Sequence, residues 1–221
     1  MCGRYTQHHD QTELELRFDL GGSLFPVVPR WNIAPTQPIS VITAHGPDSE
    51  RLLEPMRWGL VPFWAKDIAI GVKMINARSE TVAEKPAFRT PIKRRRCLVP
   101  ADGFYEWDRL TRQPYHFTVD GGALFAMAGI WDEWIAPDGS PLRSVAILTN
   151  AANDLVGRIH DRMPLILDRR FESAWLDTGH ATVGDLAEAF PGIDAARMEA
   201  VPVGRRVGNV SNDDPMLLEP V

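Results

Sequence analysis

Residues 97–107 read CLVPADGFYEW, and this stretch decides the expected fold. Apolar and aromatic residues on both sides of Pro100 and Gly103 are typical of β-strands. Proline cannot donate to a strand ladder, and glycine within a strand often marks a bulge or a bend. The stretch therefore predicts a pair of strands, or one bulged strand, broken at Pro100 and Gly103.

Other short apolar runs on both sides of this stretch predict further strands, at residues 39–43, 52–60, 115–119, 123–131, 144–149, 163–167 and 198–203. Asp120-Gly121-Gly122 indicates a hairpin turn. Helices are expected over 10–18 (ended by Gly21-Gly22), 80–88 (capped by Ser79), 169–176 and 183–190, with 24–38 extended and irregular. Strands dominate without alternating with helices, so we predict one α+β domain over residues 1–221, with a largely antiparallel, barrel-like sheet flanked by helices.

Composition limits the function. The 221 residues include 24 Lys and Arg and 29 Asp and Glu, a formal net charge of −5, which argues against a generic nucleic-acid binder. A basic groove on an acidic body is still possible, because Lys93–Arg96 form a basic run; a solvated mixture of charges is the alternative. With two cysteines, no signal peptide and no membrane-spanning run, we expect a cytoplasmic protein with free thiols.

Cys2 carries the clearest chemical signal. Removal of Met1 would leave an α-amine and a thiol on adjacent carbons, with ordinary pKa values of about 8 and about 8.5. The thiolate could attack an amide or ester, or the amine could condense with an aldehyde and the thiol then close a five-membered thiazolidine. The alternative is an accidental cysteine near a frayed terminus, and Met-Cys alone does not decide.

Three residues could assist such chemistry. Glu106 lies among aromatic residues, which predicts a desolvated carboxyl with a raised pKa, unless it points into water from an edge strand. His160, between a carboxylate and arginines, suits acid–base work on an anionic substrate, or is an ordinary loop histidine. Asn76 precedes a predicted helix, where it could orient an amine or a sugar oxygen, or simply cap that helix.

Aromatic and basic residues suggest where a ligand could bind. Trp58 and Trp64 could stack on unpaired bases, although most tryptophans are core residues. Arg78 could bind an anion or be a surface charge. His8 and His9 are adjacent, but H-E-x-x-H, C-x-x-C, phosphate-loop and dinucleotide patterns are absent, so we predict no metal and no cofactor.

Seven segments occur in a fixed order along the chain: MCGRY (1–5), WNIAP (31–35), RWGLVP (57–62), INARSET (75–81), CLVPADGFYEW (97–107), IHDRMP (159–164) and VGNV (207–210). Across residues 2–210 this ordered set resembles the SOS response-associated peptidase (SRAP) family, whose members shield abasic sites in single-stranded DNA. The family has a compact β-rich core flanked by helices, which agrees with the fold predicted above.

The resemblance implies that Met1 is removed and that Cys2 forms a thiazolidine with the ring-opened aldehyde of an abasic deoxyribose. Asn76 would position the amine and the sugar, and Glu106 would shuttle protons during imine formation. His160 would assist ring opening and reversal of the cross-link. The resemblance also implies that phosphates are held by Arg4, Arg78 and Arg162, and that the DNA channel is shaped by Asn32, Pro35, Trp58 and Thr149.

The expected partner is therefore single-stranded DNA that contains abasic sites, bound by a monomer that has no membrane association and joins the nucleoid with its DNA. Cross-link formation, Met1 removal and a lyase activity are the enzymatic expectations. The alternatives are a glutaminase-type amide hydrolase with an N-terminal cysteine, a module that binds single-stranded DNA without a covalent bond, and a peptidase that acts on other proteins.

Overall fold

The computed structural model describes residues 2–23, 25–44, 49–179 and 189–221. Its strands are β1 (Tyr5–Gln7), β2 (Leu20–Ser23), β3 (Arg30–Ile33), β4 (Pro38–Thr43), β5 (Arg51–Trp58), β6 (Asn76–Arg78), β7 (Arg96–Ala101), β8 (Gly103–Trp107), β9 (Pro114–Val119), β10 (Phe125–Ile135), β11 (Pro141–Ala151), β12 (Arg162–Pro164), β13 (Ile166–Leu167) and β14 (Met198–Pro202). The α-helices among these residues are α1 (Gln11–Phe18), α2 (Pro91–Arg94) and α3 (Glu172–Leu176).

Residues 97–107 form the corner between two sheets. β7 lies in the larger sheet, between β10 and β4, and β8 lies in the smaller sheet, between β9 and β1. Asp102 alone separates the two strands. The predicted strand pair is therefore confirmed, with each strand paired in a different sheet.

The larger sheet closes into a barrel. Its strands follow the order β11, β10, β7, β4 and β5, and β5 then pairs with β11 in parallel, with Val145 opposite Trp58. The other neighbours in this ring are antiparallel. The prediction of an α+β fold with a largely antiparallel, barrel-like core is therefore confirmed.

The smaller sheet follows the order β14, β9, β8, β1 and β3, and all its pairs are antiparallel. β1 begins three residues after Cys2 and is hydrogen-bonded on both sides, with Tyr5 opposite Phe104 of β8 and Ile33 of β3. The start of the chain is thus held inside a sheet rather than at its edge.

Two apolar clusters cover opposite faces of the barrel strands. Cys97 and Val99 of β7 pack in the cluster that also contains Cys2, Tyr5 and Phe104 of the smaller sheet. Leu98, which points to the other face of β7, packs with side chains of α1 and α3, among them Leu14, Phe18 and Trp175. Among the described residues, no helix is long and apolar enough to span a membrane.

Helix α1 confirms the prediction for residues 10–18, and its start has a capping box. The Asp10 carboxylate accepts the backbone N–H of Glu13, and the Glu13 carboxylate accepts that of Asp10. The predicted stop is wrong, because the helix ends at Phe18 and Asp19 takes a left-handed conformation, with φ of 53°. Gly21 and Gly22 instead lie in β2.

Two further local predictions are wrong. Residues 79–90 form successive turns rather than a helix over 80–88, because Pro86 has no N–H to donate to the preceding turn. Asp120-Gly121-Gly122 does turn the chain, but β9 and β10, on either side, pair in different sheets and form no hairpin. The predicted helix at 183–190 lies almost wholly outside the described residues, and the irregular segment 24–38 contains β3.

The corner at Gly103 gives a test of the fold. A Cβ atom at this position would lie 2.1 Å from Nε2 of His116 and 2.9 Å from Oγ1 of Thr6. The His116 ring cannot easily move away from this atom, because it is buried against Tyr105 and hydrogen-bonded to Thr6. We expect Gly103→Ala to lower the free energy of unfolding by about 1–3 kcal/mol in urea titrations.

Gly157→Ala is the matched control, since a Cβ atom there meets nothing within 4 Å. It should leave the urea midpoint nearly unchanged. Equal urea midpoints for the two variants would show that the corner tolerates a Cβ atom at residue 103.

Candidate functional site

Asn76 connects Cys2 to the barrel. Its Nδ2 donates to the Cys2 carbonyl oxygen at 2.9 Å. Asn76 opens β6, which pairs in parallel with β11, so that Ile147 lies opposite it. Trp58 Nε1 donates to the carbonyl oxygen of Ile75 at 2.9 Å and fixes the backbone just before Asn76. The amide of Asn76 is therefore held by its strand and by a core tryptophan.

The Cys2 side chain is fully buried. Its Sγ lies 3.7 Å from the Arg4 carbonyl oxygen, to which the thiol donates. Burial raises the pKa of the Cys2 thiol far above its ordinary range, and the negative charge of Glu106 raises it further. In this arrangement the sulfur is a protonated thiol near neutral pH.

Glu106 lies on β8 and is only 3% exposed. Burial raises its pKa to about 7, and the charge of Asp161 adds to the effect. The carboxyl is thus available as an acid and as a base near neutral pH, as a group that moves protons must be. The burial agrees with the desolvation predicted from its aromatic neighbours in the sequence.

His160 follows the short helical turn Val156–Arg158. Its Nδ1 lies 3.1 Å from the backbone nitrogen of Arg162, 3.2 Å from the carbonyl oxygen of Arg162 and 3.3 Å from Oδ1 of Asp161. An unprotonated Nδ1 can accept the Arg162 N–H, and a protonated Nδ1 can donate to the Arg162 carbonyl oxygen or to Asp161 Oδ1. Both protonation states therefore have partners, while burial lowers the pKa of His160.

Arg109 and Asp161 form an ion pair beside these groups. Both charges act on the pKa of Glu106 and on that of His160, so the two titratable groups share one electrostatic environment. With the Glu106 charge acting on Cys2 and Asn76 bonded to Cys2, the structure brings all four predicted catalytic residues together. Arg109 was missed, because it belongs to no motif and meets Asp161 only through the fold.

A groove of 520 Å³ opens beside Asn76. Lys73, Arg78 and Lys85 supply positive charge to its lining, and the described residues that line it include no acidic side chain. Trp64, 47% exposed, and Phe88 supply aromatic surface. Sequence patterns suggested Trp64 and Arg78, whereas Lys73, Lys85 and Phe88 are scattered along the chain and gave no signal.

Two residues predicted to shape a DNA channel lie in the interior. Trp58 is fully buried and packs edge-on against Tyr5 at 5.4 Å. Asn32 is also fully buried, and its Nδ2 donates to three carbonyl oxygens of the C-terminal segment, those of Val207, Asn209 and Asn212. Both side chains position backbone rather than line the groove.

Arg4 and Pro35 are half-buried and Thr149 is buried. Arg4 donates to the Val207 carbonyl oxygen at 3.1 Å and lies 6.0 Å from the ring centre of Trp107. Pro35 is half-buried in the turn after β3. Thr149 lines the groove and lies opposite Arg78 in the pairing of β11 with β6.

Arg162 is held by a carboxylate. Its guanidinium donates to both oxygens of Glu80, at 2.6 and 2.9 Å, and to the Thr149 carbonyl oxygen at 2.6 Å. The pairing lowers the pKa of Glu80. Any anion that reached Arg162 would have to compete with Glu80, a constraint that the sequence did not reveal.

The basic run Lys93–Arg96 is not a continuous patch. Arg95 pairs with Asp132 and lies over the ring of Trp131. Arg96 is buried and donates to the Asp177 carbonyl oxygen at 2.7 Å. Only the first two residues of the run are exposed, whereas the other two contact groups of the fold.

Among the described residues, the side chains with metal-ligand spacing are His8, His9 and Asp102. They lie at the far end of β1 from Cys2, a separation of up to roughly 20 Å at the rise of a strand. None of the four predicted catalytic residues belongs to this set.

The raised pKa of Glu106 predicts a pH-dependent stability. The folded state holds its proton up to about pH 7, whereas the unfolded carboxyl loses it near its ordinary pKa of 4.5, so stability falls as the pH rises through this window. Glu106→Gln removes the buried charge. We expect the variant to be roughly 1–3 kcal/mol more stable than the wild type at pH 8, and nearly equal at pH 5.

Urea titrations at both pH values provide the measurement. Glu199→Gln, which removes an exposed carboxylate of β14, is the control and should show no such gain. A Glu106→Gln variant that is less stable than the wild type at pH 8 would contradict the raised pKa.

Comparison with known proteins places this chain in a family. A family model described as SOS response associated peptidase (SRAP) matches residues 1–210. Abasic site processing protein YoqW of Bacillus subtilis is 41% identical over 224 residues, which cover 99% of each protein. Abasic site processing protein HMCES of Mus musculus is 35% identical over 231 residues, which cover 87% of this chain and 65% of the mouse protein.

Solved structures show the same fold. A crystal structure of a protein from Bacteroides thetaiotaomicron superposes with a TM-score of 0.89 at 26% identity and covers 100% of both chains. A crystal structure of a protein from Bordetella bronchiseptica gives a TM-score of 0.79 at 28% identity, over 92% of this chain and 100% of that one. Together with the family model, these matches show that the chain belongs to the SOS response associated peptidase (SRAP) family.

Proposed function

We propose that this protein processes abasic sites in single-stranded DNA, and that Cys2 captures the ring-opened sugar as a thiazolidine once Met1 has been removed. The relatives named as abasic site processing proteins support the coarse function. The observation that carries the finer proposal is the position of Asn76, which bonds to Cys2 and lines the cationic groove. A DNA strand in that groove would bring its sugar to the nucleophile.

The proposed reaction needs no external oxidant or reductant. The free α-amine of Cys2 adds to the aldehyde carbon, and the resulting carbinolamine loses one water to give an imine. The thiol then adds to the same carbon of this imine, which is protonated on nitrogen, so that a C–S bond forms, the π electrons of the C=N bond return to nitrogen and the thiol proton is released to a base. The product has the summed mass of protein and DNA less one water.

Each of the other site residues has a role in this proposal. Asn76 holds the Cys2 carbonyl and thereby orients the amine. Glu106, whose pKa is about 7, protonates the carbinolamine hydroxyl, which then leaves as water. The resulting Glu106 carboxylate accepts the thiol proton in the next step. His160 assists opening of the sugar ring and reversal of the cross-link.

Binding in the proposal rests on charge and stacking, because an abasic site offers no base to read. Lys73, Arg78 and Lys85 would meet backbone phosphates, and Trp64 would stack on a neighbouring base. Stacking on an exposed ring requires unpaired bases, which favours single strands. Affinity should accordingly depend on salt and little on sequence.

Intact mass spectrometry after incubation with an abasic single-stranded oligonucleotide tests the covalent step. We expect the wild type to give a heat-stable adduct, less one water, without a reducing agent. Cys2→Ala keeps an amine but has no thiol, so it should form only an imine that needs borohydride to survive heating. Cys97→Ala removes the other buried cysteine and should give the wild-type adduct.

The same reaction, followed over time, tests the acid. Glu106→Gln should slow adduct formation at pH 7 by about 10²-fold, the usual contribution of a positioned general acid. A heat-stable adduct on Cys2→Ala would exclude the thiazolidine. A wild type that releases ammonia from glutamine and forms no adduct would instead indicate an amide hydrolase.

The Arg162–Glu80 pair generates a prediction about affinity. Glu80→Gln removes a negative charge and frees the Arg162 guanidinium for a phosphate. In a Cys2→Ala background, we expect single-stranded DNA to bind at least about threefold more tightly, and the slope of log K against log salt to steepen by up to about 0.7.

Fluorescence anisotropy over a range of salt concentrations measures both quantities. Glu84→Gln is the matched control, because it removes an exposed carboxylate of the same segment without releasing Arg162. Equal gains in the two variants would mean that Arg162 contacts no phosphate.

A further inference from the structure

We propose that His8, His9 and Asp102 bind one divalent transition-metal ion of the zinc class, at a site separate from the four catalytic residues. The two histidines follow β1, and Asp102 is the corner residue between β7 and β8. Their ligand atoms all lie within 4.8 Å of one another.

The distances suit tetrahedral coordination. Nε2 of His8 lies 3.5 Å from Oδ1 of Asp102, and Nδ1 of His9 lies 3.0 Å from Oδ2. Zinc binds nitrogen and oxygen ligands at about 2.0–2.1 Å, so neighbouring ligands of a tetrahedral ion are about 3.3 Å apart. Small rotations of the two rings would therefore complete a set of two nitrogens and one carboxylate.

The hydrogen bonds of Asp102 leave one oxygen unsatisfied. Oδ2 receives the backbone N–H of His8 at 2.6 Å, that of His9 at 3.4 Å, and Nδ1 of His9 at 3.0 Å. Oδ1 is buried and, within the part of the chain that the structure describes, has no hydrogen-bond partner. The Asp102 side chain is 0% exposed, so water does not solvate Oδ1. A cation bound between Oδ1 and His8 would supply the missing partner.

The histidine rings are pre-positioned and reachable. They stack on each other with centroids 5.2 Å apart and an angle of 14°, and His8 also stacks on Trp31 at 6.3 Å. Their side chains are 32% and 22% exposed, which gives an ion a path from solvent to the buried carboxylate. Two imidazoles with one carboxylate favour zinc, cobalt or nickel over magnesium or calcium.

The sequence does not reveal this site, because Asp102 stands 93 residues beyond His9 and no short motif joins them. A bound ion would tie the end of β1 to the corner between the sheets, and β1 is the strand that leads from Cys2. Closing so long a loop should stabilise the fold. The inference does not depend on the proposed function.

Titration calorimetry with Zn²⁺, and absorption spectra with Co²⁺, test the proposal on the full, untagged, chelator-treated chain. A Cys2→Ala background removes the aminothiol as a competing ligand. We expect one ion per chain, a higher Tm with Zn²⁺, and Co²⁺ bands without a thiolate charge-transfer band. His8→Phe and His9→Phe keep the stacking and should each weaken binding by at least about tenfold.

His160→Phe is the matched control, since His160 also lies beside a carboxylate. It should bind Zn²⁺ as the background protein does. If binding disappears in the Cys2→Ala background, or if His8→Phe and His160→Phe bind equally well, the ion is not held by this cluster and the proposal fails. Melting each variant without metal checks that the substitutions leave the fold intact.

Discussion

The central position of β1 in the smaller sheet is the constraint on which the site depends. Chain termini are usually loose, yet here the strand that follows Cys2 is hydrogen-bonded on both sides. The ladder continues backwards to Arg4, whose carbonyl oxygen accepts the Tyr105 N–H at 3.0 Å. Only Gly3 then separates this bonded backbone from the buried Cys2. In the proposed reaction, a residue held in this way would lose little further freedom when it meets a substrate, which would favour reaction.

Each of the four site residues comes from a different element. Cys2 precedes β1, Asn76 opens β6 on the barrel, Glu106 lies in β8, and His160 follows a short helical turn. The corner at residues 97–107 is therefore more than a bend, because it carries the chain from the barrel strand β7 into the strand that bears Glu106. The site exists only where the barrel and the smaller sheet meet, so that its geometry is a property of the whole fold.

Local chemistry was readable from the sequence, and long-range pairing was not. The aromatic neighbours of Glu106 indicated a desolvated carboxyl as one of two interpretations, and the helix over 10–18 was predicted, but the capping box of Asp10 and Glu13 emerged only from the structure. The turn at residues 120–122 was also readable, but the partners of the strands on either side depend on the distant β14 and β7. The possible cap at Ser79 suggested a helix over 80–88, but Pro86 has no N–H to donate to the preceding turn, and residues 79–90 form successive turns.

Side-chain partners were the least predictable part of the site. Asn32 holds a segment 175 to 180 residues away, and Arg162 is paired with Glu80, 82 residues before it. Neither contact follows from neighbours in the sequence. The resemblance to a family named Asn32 and Arg162. Only the fold shows that Asn32 is interior and that Arg162 is already paired with the carboxylate of Glu80.

The pKa shifts move the carboxyl and the imidazole of the site in opposite directions. Burial raises the pKa of Glu106 to about 7 and lowers that of His160, so the carboxyl keeps its proton to a higher pH than usual and the ring gives up its proton at a lower pH than usual. The buried thiol stays protonated, so in the proposed reaction the amine of Cys2 attacks first and sulfur follows. Loss of water from the carbinolamine then requires an acid, a role that the proposal gives to the protonated Glu106. The negative charge left on Glu106 can accept the thiol proton in the next step, so one buried carboxyl would serve both halves of ring closure.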